Sequence, residues 1–362
     1  MQISRRAFTL GTASFALTSL SGGRFIVASA QEEQALYEAA KGEGVAVMYV
    51  SAPLDATRTM LDAFQQKYPG VTVEVQRLVS TQQYQKFLAE SQAGQNIVDV
   101  LQLSDKPAVE DLISRGLIAE HAVPTDGDFA EPGFKIPGRA YIPWSTDVVI
   151  TYNTEQISEE DAALLVDWKG ILDPRFKGKI AMRAKLDGAG YAPFLYLLDE
   201  KKDEYGEAYM EALAAQEPKI YADPVQAGRA VQTGEQAVWF PGWESLSIQF
   251  VKEGAPIRWV FPNPSPAYGN VWTFVNANAP HPNAARLLLN WWTSDDAANV
   301  IESTYLARAS KGGREDSREV TREVWYEGIG DKGWTPDSVR WAEARPMIDE
   351  LWKKHFGKYG AI

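Results

Sequence analysis

From residue 44 onward the chain switches repeatedly between two hydrophobic rhythms. "GVAVMYVSAP" (44–53) is a continuous apolar run, the pattern of a strand covered on both faces. "LDATRTMLDAFQQKYPG" (54–70) then sets Leu54, Met60, Leu61 and Phe64 near one helical face and stops at Pro69-Gly70. "VTVEVQRL" (71–78) alternates at period two and predicts a strand. "STQQYQKFLAESQAG" (80–94) predicts a helix with Ser80 or Thr81 at its cap and Gly94 at its end. "IVDVLQLSD" (97–105) is a third buried strand, followed by a helical pattern through Leu117. Strand and helix in alternation predict a parallel sheet with helices on both faces.

In such sheets a ligand crevice lies beyond the carboxyl ends of the strands. Ser51-Ala52, Ser80-Thr81 and Ser104-Asp105 all end there. They offer hydroxyls, backbone N–H groups and a carboxylate at helix starts. Taken singly, Ser80, Thr81 and Ser104 also fit plain helix caps. Three polar turns on one edge make one wall of a candidate site.

A second alternation follows. Asp147 to Tyr152 is strand-like, and Asn153-Thr154 begins a new unit. The pattern predicts strands at 179–182 and 237–240, helices at 191–198 and 207–215, and two strands around a proline-rich turn within 259–280. "HPNAARLLLNWWTSDDAANVIE" (281–302) predicts a helix pair. The expected organisation is α/β with two lobes, each a mostly parallel sheet flanked by helices, joined by two crossing strands. Lobe one takes 31–147 and 271–325, and lobe two takes 148–270. A tail over 326–362 carries Trp341, Ile348, Leu351 and Trp352 at helical spacing and is expected to pack across a lobe.

Composition narrows the chemistry. The 362-residue chain carries a formal net charge of −12, which argues against a nucleic-acid binder. It has no cysteine, so disulfides, zinc-thiolate sites, thiol catalysis and a lipoprotein anchor are excluded. Twelve tryptophans and fifteen tyrosines supply rings that suit pockets for organic ligands as well as cores. The first thirty residues read as an export leader: Arg5-Arg6, a small and apolar stretch interrupted by Arg24, and an A-x-A-like site at Ala28-Ser29-Ala30. Ser4-Arg5-Arg6-Ala7-Phe8 resembles the twin-arginine export motif, against the plainer reading of an ordinary leader with two arginines. The expected location is the periplasm, with cleavage near Ala30. No G-x-S-x-G, H-E-x-x-H, phosphate loop or dinucleotide fingerprint is present.

Five segments carry a resemblance: "VDVLQLSD" (98–105), "VVITYNTEQI" (148–157), "DWKGILDPRFKGKIAM" (167–182), "GEQAVWF" (234–240) and "NAPHPNAARLLLNWWTS" (278–294). Together the chain resembles the periplasmic substrate-binding proteins of ABC importers, of the extracellular solute-binding family 1, in the branch of ferric-iron, 2-aminoethylphosphonate, thiamine and polyamine binders. The resemblance implies a type II periplasmic binding fold that closes by hinge motion on a small solute. It also implies delivery to an inner-membrane ABC permease, a monomer, no cofactor, and no enzymatic activity. In the 167–182 segment, Trp168 and Ile171 are expected to pack a helical turn, and Asp173-Pro174 to end it. Gly178 is expected to turn the chain into the next strand.

The ligand residues are expected on either side of that segment. "MRAKLDGAGYAPFLYLL" (182–198) is a strand end, a glycine turn and a helix start. Gly188, Ala189 and Gly190 allow backbone N–H groups to approach a ligand, and a helix N-terminus there favours anions. Arg183 or Lys185 adds a charged donor, Tyr191 ends the turn, and Asp187 is either a cap or an amine partner. In the resembling family this turn often holds a carboxylate, phosphonate or synergistic anion. Ferric binders of the family commonly carry a tyrosine pair near "AVWFPGWESLSIQFV" (237–251). Here Glu244-Ser245 stand at the approximate equivalent, preceded by Trp239 and Trp243. That departure favours an organic solute with an acid or amine group over ferric iron, which stays as the alternative. A more distant alternative is an enzyme using Glu244 or Asp105 as base. Trp144 and Tyr268 flank the crossings, and Arg308 lies near where the family often places a further cleft residue.

Overall fold

The computed structural model describes residues 21–360, apart from 52–53, 79, 131–132, 187, 270 and 336. The chain begins with α1 (Ser21–Glu43), β1 (Val45–Val50), α2 (Leu54–Lys67), β2 (Thr72–Arg77), α3 (Ser80–Gln92), β3 (Val100–Leu103) and α4 (Lys106–Ser114). Two short strands follow, β4 (Lys135–Ile136) and β5 (Ala140–Tyr141), and then the long β6 (Trp144–Asn153). The second unit contains α5 (Glu159–Leu164), β7 (Ile180–Arg183), α6 (Ala192–Leu195), α7 (Gly206–Ala215), β8 (Lys219–Tyr221), α8 (Pro224–Gln232), β9 (Val238–Trp243) and α9 (Glu244–Lys252). It continues with β10 (Ile257–Val260), β11 (Ser265–Gly269), β12 (Trp272–Val275), α10 (Pro282–Trp292), α11 (Asp295–Thr304), β13 (Arg308–Ala309), β14 (Gly333–Trp334) and α12 (Ser338–Phe356).

Two sheets organise these elements. The first has the order β2-β1-β3-β12-β5-β4. Its β1 is parallel to β2 and β3, while β12 returns antiparallel to β3. The second has the order β14-β11-β6-β9-β7-β8, with β10 and β13 also pairing along β6. The all-buried VLQL of β3 and IAMR of β7 explain why both read as continuous runs rather than alternating ones. Each lobe has its own core: Phe64, Trp291 and Trp292 lie in the first, and Trp168, Phe194 and Phe240 in the second.

The expected strands and helices are largely present, with differences of extent. Region 259–280 holds three strands, because Asn263-Pro264, a cis peptide, separates β10 from β11 before β12 begins. The helix expected at 191–198 is one α turn, α6, followed by a π turn at Tyr196–Glu200. The sequence reading assigned no element to 31–43, yet α1 runs through it and packs on α10. Its Leu36 and Tyr37 pack against the first core and Ala40 is buried in it. The helix is continuous across Ala30.

The 167–182 segment folds as its residue types dictate. Trp168, Ile171 and Phe176 are fully buried. Asp173 caps the next turn by accepting from the Arg175 N–H at 3.0 Å. Gly178 has φ +73, a conformation that favours glycine, and leads directly into β7. The tail folds as α12, whose Trp341, Ile348, Trp352 and Phe356 join the second core. That helix packs on α6 and α7 and also approaches α4 of the first lobe.

Candidate ligand cleft

The first wall is built from the carboxyl ends of β1 and β3. Ser51 follows β1 and is half-buried. The Ser80 and Ser104 hydroxyls are 2.8 Å apart, and the Ser104 N–H donates to Ser80 Oγ at 3.0 Å. These two serines therefore tie the start of α3 to the end of β3. Asp105 stands at the N-cap of α4, yet its side chain makes no capping hydrogen bond. Its carboxylate is not consumed by the helix. Desolvation raises its pKa, and the charge of Arg345 on α12 pulls it back down. Ala52 lies outside the described residues, as does the side chain of Thr81.

The second wall is built from the carboxyl ends of β7 and β9. Arg183 is the last residue of β7 and is 0 % exposed. Its guanidinium carbon lies 4.7 Å from the centre of the Trp243 ring, at the end of β9. Such stacking contributes about 0.5–2 kcal/mol. On its other side stands Gly190, where an added Cβ would come within 3.1 Å of Arg183 Nη1. A side chain at this position would crowd the Arg183 guanidinium. The Trp243 indole Nε1 is buried without a hydrogen-bond partner among the described residues.

The turn Gly188–Tyr191 is a short 3-10 segment, with Ala189 and Tyr191 buried. It leads into the single α turn of α6, so a helix dipole contributes little here and the charge of Arg183 dominates. The Tyr191 hydroxyl donates to Asp349 of α12 at 2.6 Å. Burial, followed by that carboxylate, pushes its pKa up to about 12. Arg345 of α12 sits 4.9 Å above the Tyr191 ring. Asp187 lies outside the described residues.

The remaining candidates have structural partners. Trp239 is fully buried among Ala181, Ala227, Val231 and Phe250. A bulge in the β9–β6 register sets Trp239, opposite Thr151, and Trp243, opposite Val148, on opposite faces of the strand. Trp144 stacks on Tyr305 at 4.9 Å and 12°. Arg308 donates to Asp147 through Nε at 2.8 Å and Nη2 at 3.1 Å. Tyr268 pairs with Thr146 in the β11–β6 register, and its side chain is outside the described residues.

Glu244 is buried at the start of α9, where it accepts from Arg318 and from the Tyr326 hydroxyl at 2.8 Å. Burial raises its pKa, against the opposing charge of Arg318. Arg318 is held in turn by Asp316 at 2.6 Å. Arg318, Tyr326 and Arg345 were not singled out in the sequence. Arg345 lies beside the apolar stripe of the C-terminal helix, next to Ala344.

A separate pocket of about 730 Å³ opens on lobe two between α5 and α7, lined in part by Asp167, Lys169, Glu204, Tyr205 and Tyr209. None of the described candidate ligand residues lines it.

Residues 59–307 match the family model described as bacterial extracellular solute-binding protein. No curated protein matches the sequence. Among solved structures, the apo ferric ion-binding protein A of Pasteurella haemolytica aligns at TM-score 0.68 and 16% identity, over 88% of this chain and 99% of that one. A Trichodesmium protein in complex with iron and citrate aligns at 0.67 and 14% identity, over 88% and 100%. The periplasmic binding protein AfuA of Actinobacillus pleuropneumoniae, with fructose-6-phosphate bound, aligns at 0.57 and 17% identity, over 86% and 98%. These likenesses share the two-lobed fold.

Proposed function

Because the chain belongs to the bacterial extracellular solute-binding proteins, the solute-binding components of ABC transporters, we propose that it captures a small organic anion between its two lobes. The family works with ABC permeases, consists of transport proteins rather than enzymes, and has a periplasmic location. For this chain the reading is a monomeric carrier, exported through its leader, that hands its solute to an inner-membrane permease. The lobes run 31–147 with 271–325, and 148–270, with α12 fastened to lobe two.

The observation that carries the reading is Arg183, a fully buried guanidinium at the carboxyl end of β7. It is clamped between the Trp243 ring and Gly190. A guanidinium held in one orientation presents a rigid fork of donors that matches carboxylate or phosphate. The unpartnered Trp243 indole N–H is a further donor beside it. Asp105 and Ser104 stand on the opposing wall, where a carboxylate suits a solute amine or hydroxyl. Closure is driven by a solute that touches both walls, since only then does it bind the closed state better than the open one.

Ferric iron has less support. Glu244, at the approximate place of the tyrosine pair in ferric binders, is spent on Arg318 and Tyr326. The same engagement removes Glu244 as a catalytic base.

A thermal-shift screen of organic anions, cations, neutral solutes and ferric citrate checks the proposal. Stabilisation by organic anions is expected, and Arg183→Gln is expected to lose at least an order of magnitude in affinity, the scale of a charge-assisted contact. Arg183→Lys, which keeps the charge without the fork, should recover only part. Stabilisation by ferric citrate alone, or equal affinity in Arg183→Gln, would overturn it.

A further inference from the structure

Trp341, Ala344, Ile348 and Trp352 of α12 are buried at steps of three, four and four residues, marking its packing stripe. Arg345 borders that stripe next to Ala344 and is exposed. The Tyr191 ring of the glycine turn lies 4.9 Å beneath the guanidinium. Tyr191 also meets Trp341 edge-on at 5.7 Å and donates to Asp349 two turns on, so the turn and helix are fixed together. From lobe one, Asp105 feels the charge of Arg345, and α12 approaches α4.

Two other cations of α12 are paired: Arg340 with Asp199 at 2.6 Å and Lys354 with Glu207 at 2.6 Å. Among the described residues Arg345 forms no ion pair with any carboxylate, and its contact is the Tyr191 ring. A long side chain pinned on an aromatic face has already lost much of its freedom, so ordering it on a ligand costs little further entropy. The turn Gly188–Tyr191 is thus flanked by two guanidiniums: Arg183 against Gly190 on one side, Arg345 against Tyr191 on the other.

We propose that Arg345 is a ligand-contacting residue of the crevice, so that the solute is a dianion held between Arg183 and Arg345. This inference rests on the organic-anion reading and extends it from one acidic group to two charges, as in a dicarboxylate or a phosphate monoester. Asp105, near the start of α4, which α12 approaches, would face the solute from lobe one.

Isothermal titration of the full chain with acetate, succinate, glutarate and fructose 6-phosphate tests it, in wild type, R183Q, R345Q and D105N. R345Q is expected to weaken the dianions at least tenfold more than acetate, while R183Q weakens every anion. Since Arg345 is exposed, R345Q should fold, which circular dichroism verifies. If R345Q leaves the dianions as tight as wild type while R183Q abolishes binding, the inference is overturned and the organic-anion reading survives. Equal weakening of all anions by R345Q and D105N would make the pair a simple closing latch and also overturn it. Absence of anion binding by wild type would overturn both readings.

Discussion

One guanidinium explains why two quite different residues stand at 190 and 243. Trp243 gives Arg183 a face to lie on, and Gly190 gives it room. Both were legible as a strand end, a glycine turn and a ring sixty residues on. Their mutual arrangement was not, because it depends on β7 and β9 being neighbours in the sheet. Trp239 was equally prominent in sequence but belongs to the core. Gly228 lets α8 come so close that an added Cβ would lie 3.1 Å from Trp239 Cζ3. Glu244 misled for a related reason: its partners Arg318 and Tyr326 lie more than seventy residues away, where no local pattern announces them. A buried ion pair broken on one side costs about 3–5 kcal/mol. Arg318→Met is therefore expected to destabilise the protein by about that amount in urea unfolding. Adding Glu244→Gln should recover part of the loss by removing the stranded carboxylate. An additive double mutant would mean that the two side chains do not interact.

Elements were more readable than sites. Continuous apolar runs marked β1, β3 and β7, and the helix pair at 281–302 is α10 and α11, with Ser294 capping the second through the Ala297 N–H at 3.3 Å. Where reading fell short, a tertiary cause is visible. β8 is three residues long and only partly buried, too short for a periodic signal, and gains its place by pairing with β7. The sequence assigned the tail to packing across a lobe, and α12 does so through Trp352, which meets Phe194 edge-on at 5.0 Å. Trp352→Ala is expected to cost about 3–5 kcal/mol, as large-to-small core changes do. It should also weaken solute binding, because α12 holds Tyr191 and Arg345 at the crevice. Loss of stability with undiminished affinity would separate α12 from the site.

At the scale of the molecule, the design is two cores joined by shared strands. β6 runs the length of the second sheet, and its first residues pair with β13, which arrives from α11 in lobe one. Along the chain β5 of the first sheet is followed by β6 of the second, β11 of the second by β12 of the first, and α11 by β13, which pairs with β6. β13 left no periodic signal in the sequence, since it has only two residues. The central claim is that this hinged crevice holds an organic anion on Arg183. Native mass spectrometry of the protein isolated from its own periplasm tests it most directly. The account predicts a bound organic acid that leaves on unfolding and is missing from Arg183→Gln. A mass matching iron, or the same adduct retained by Arg183→Gln, would contradict it.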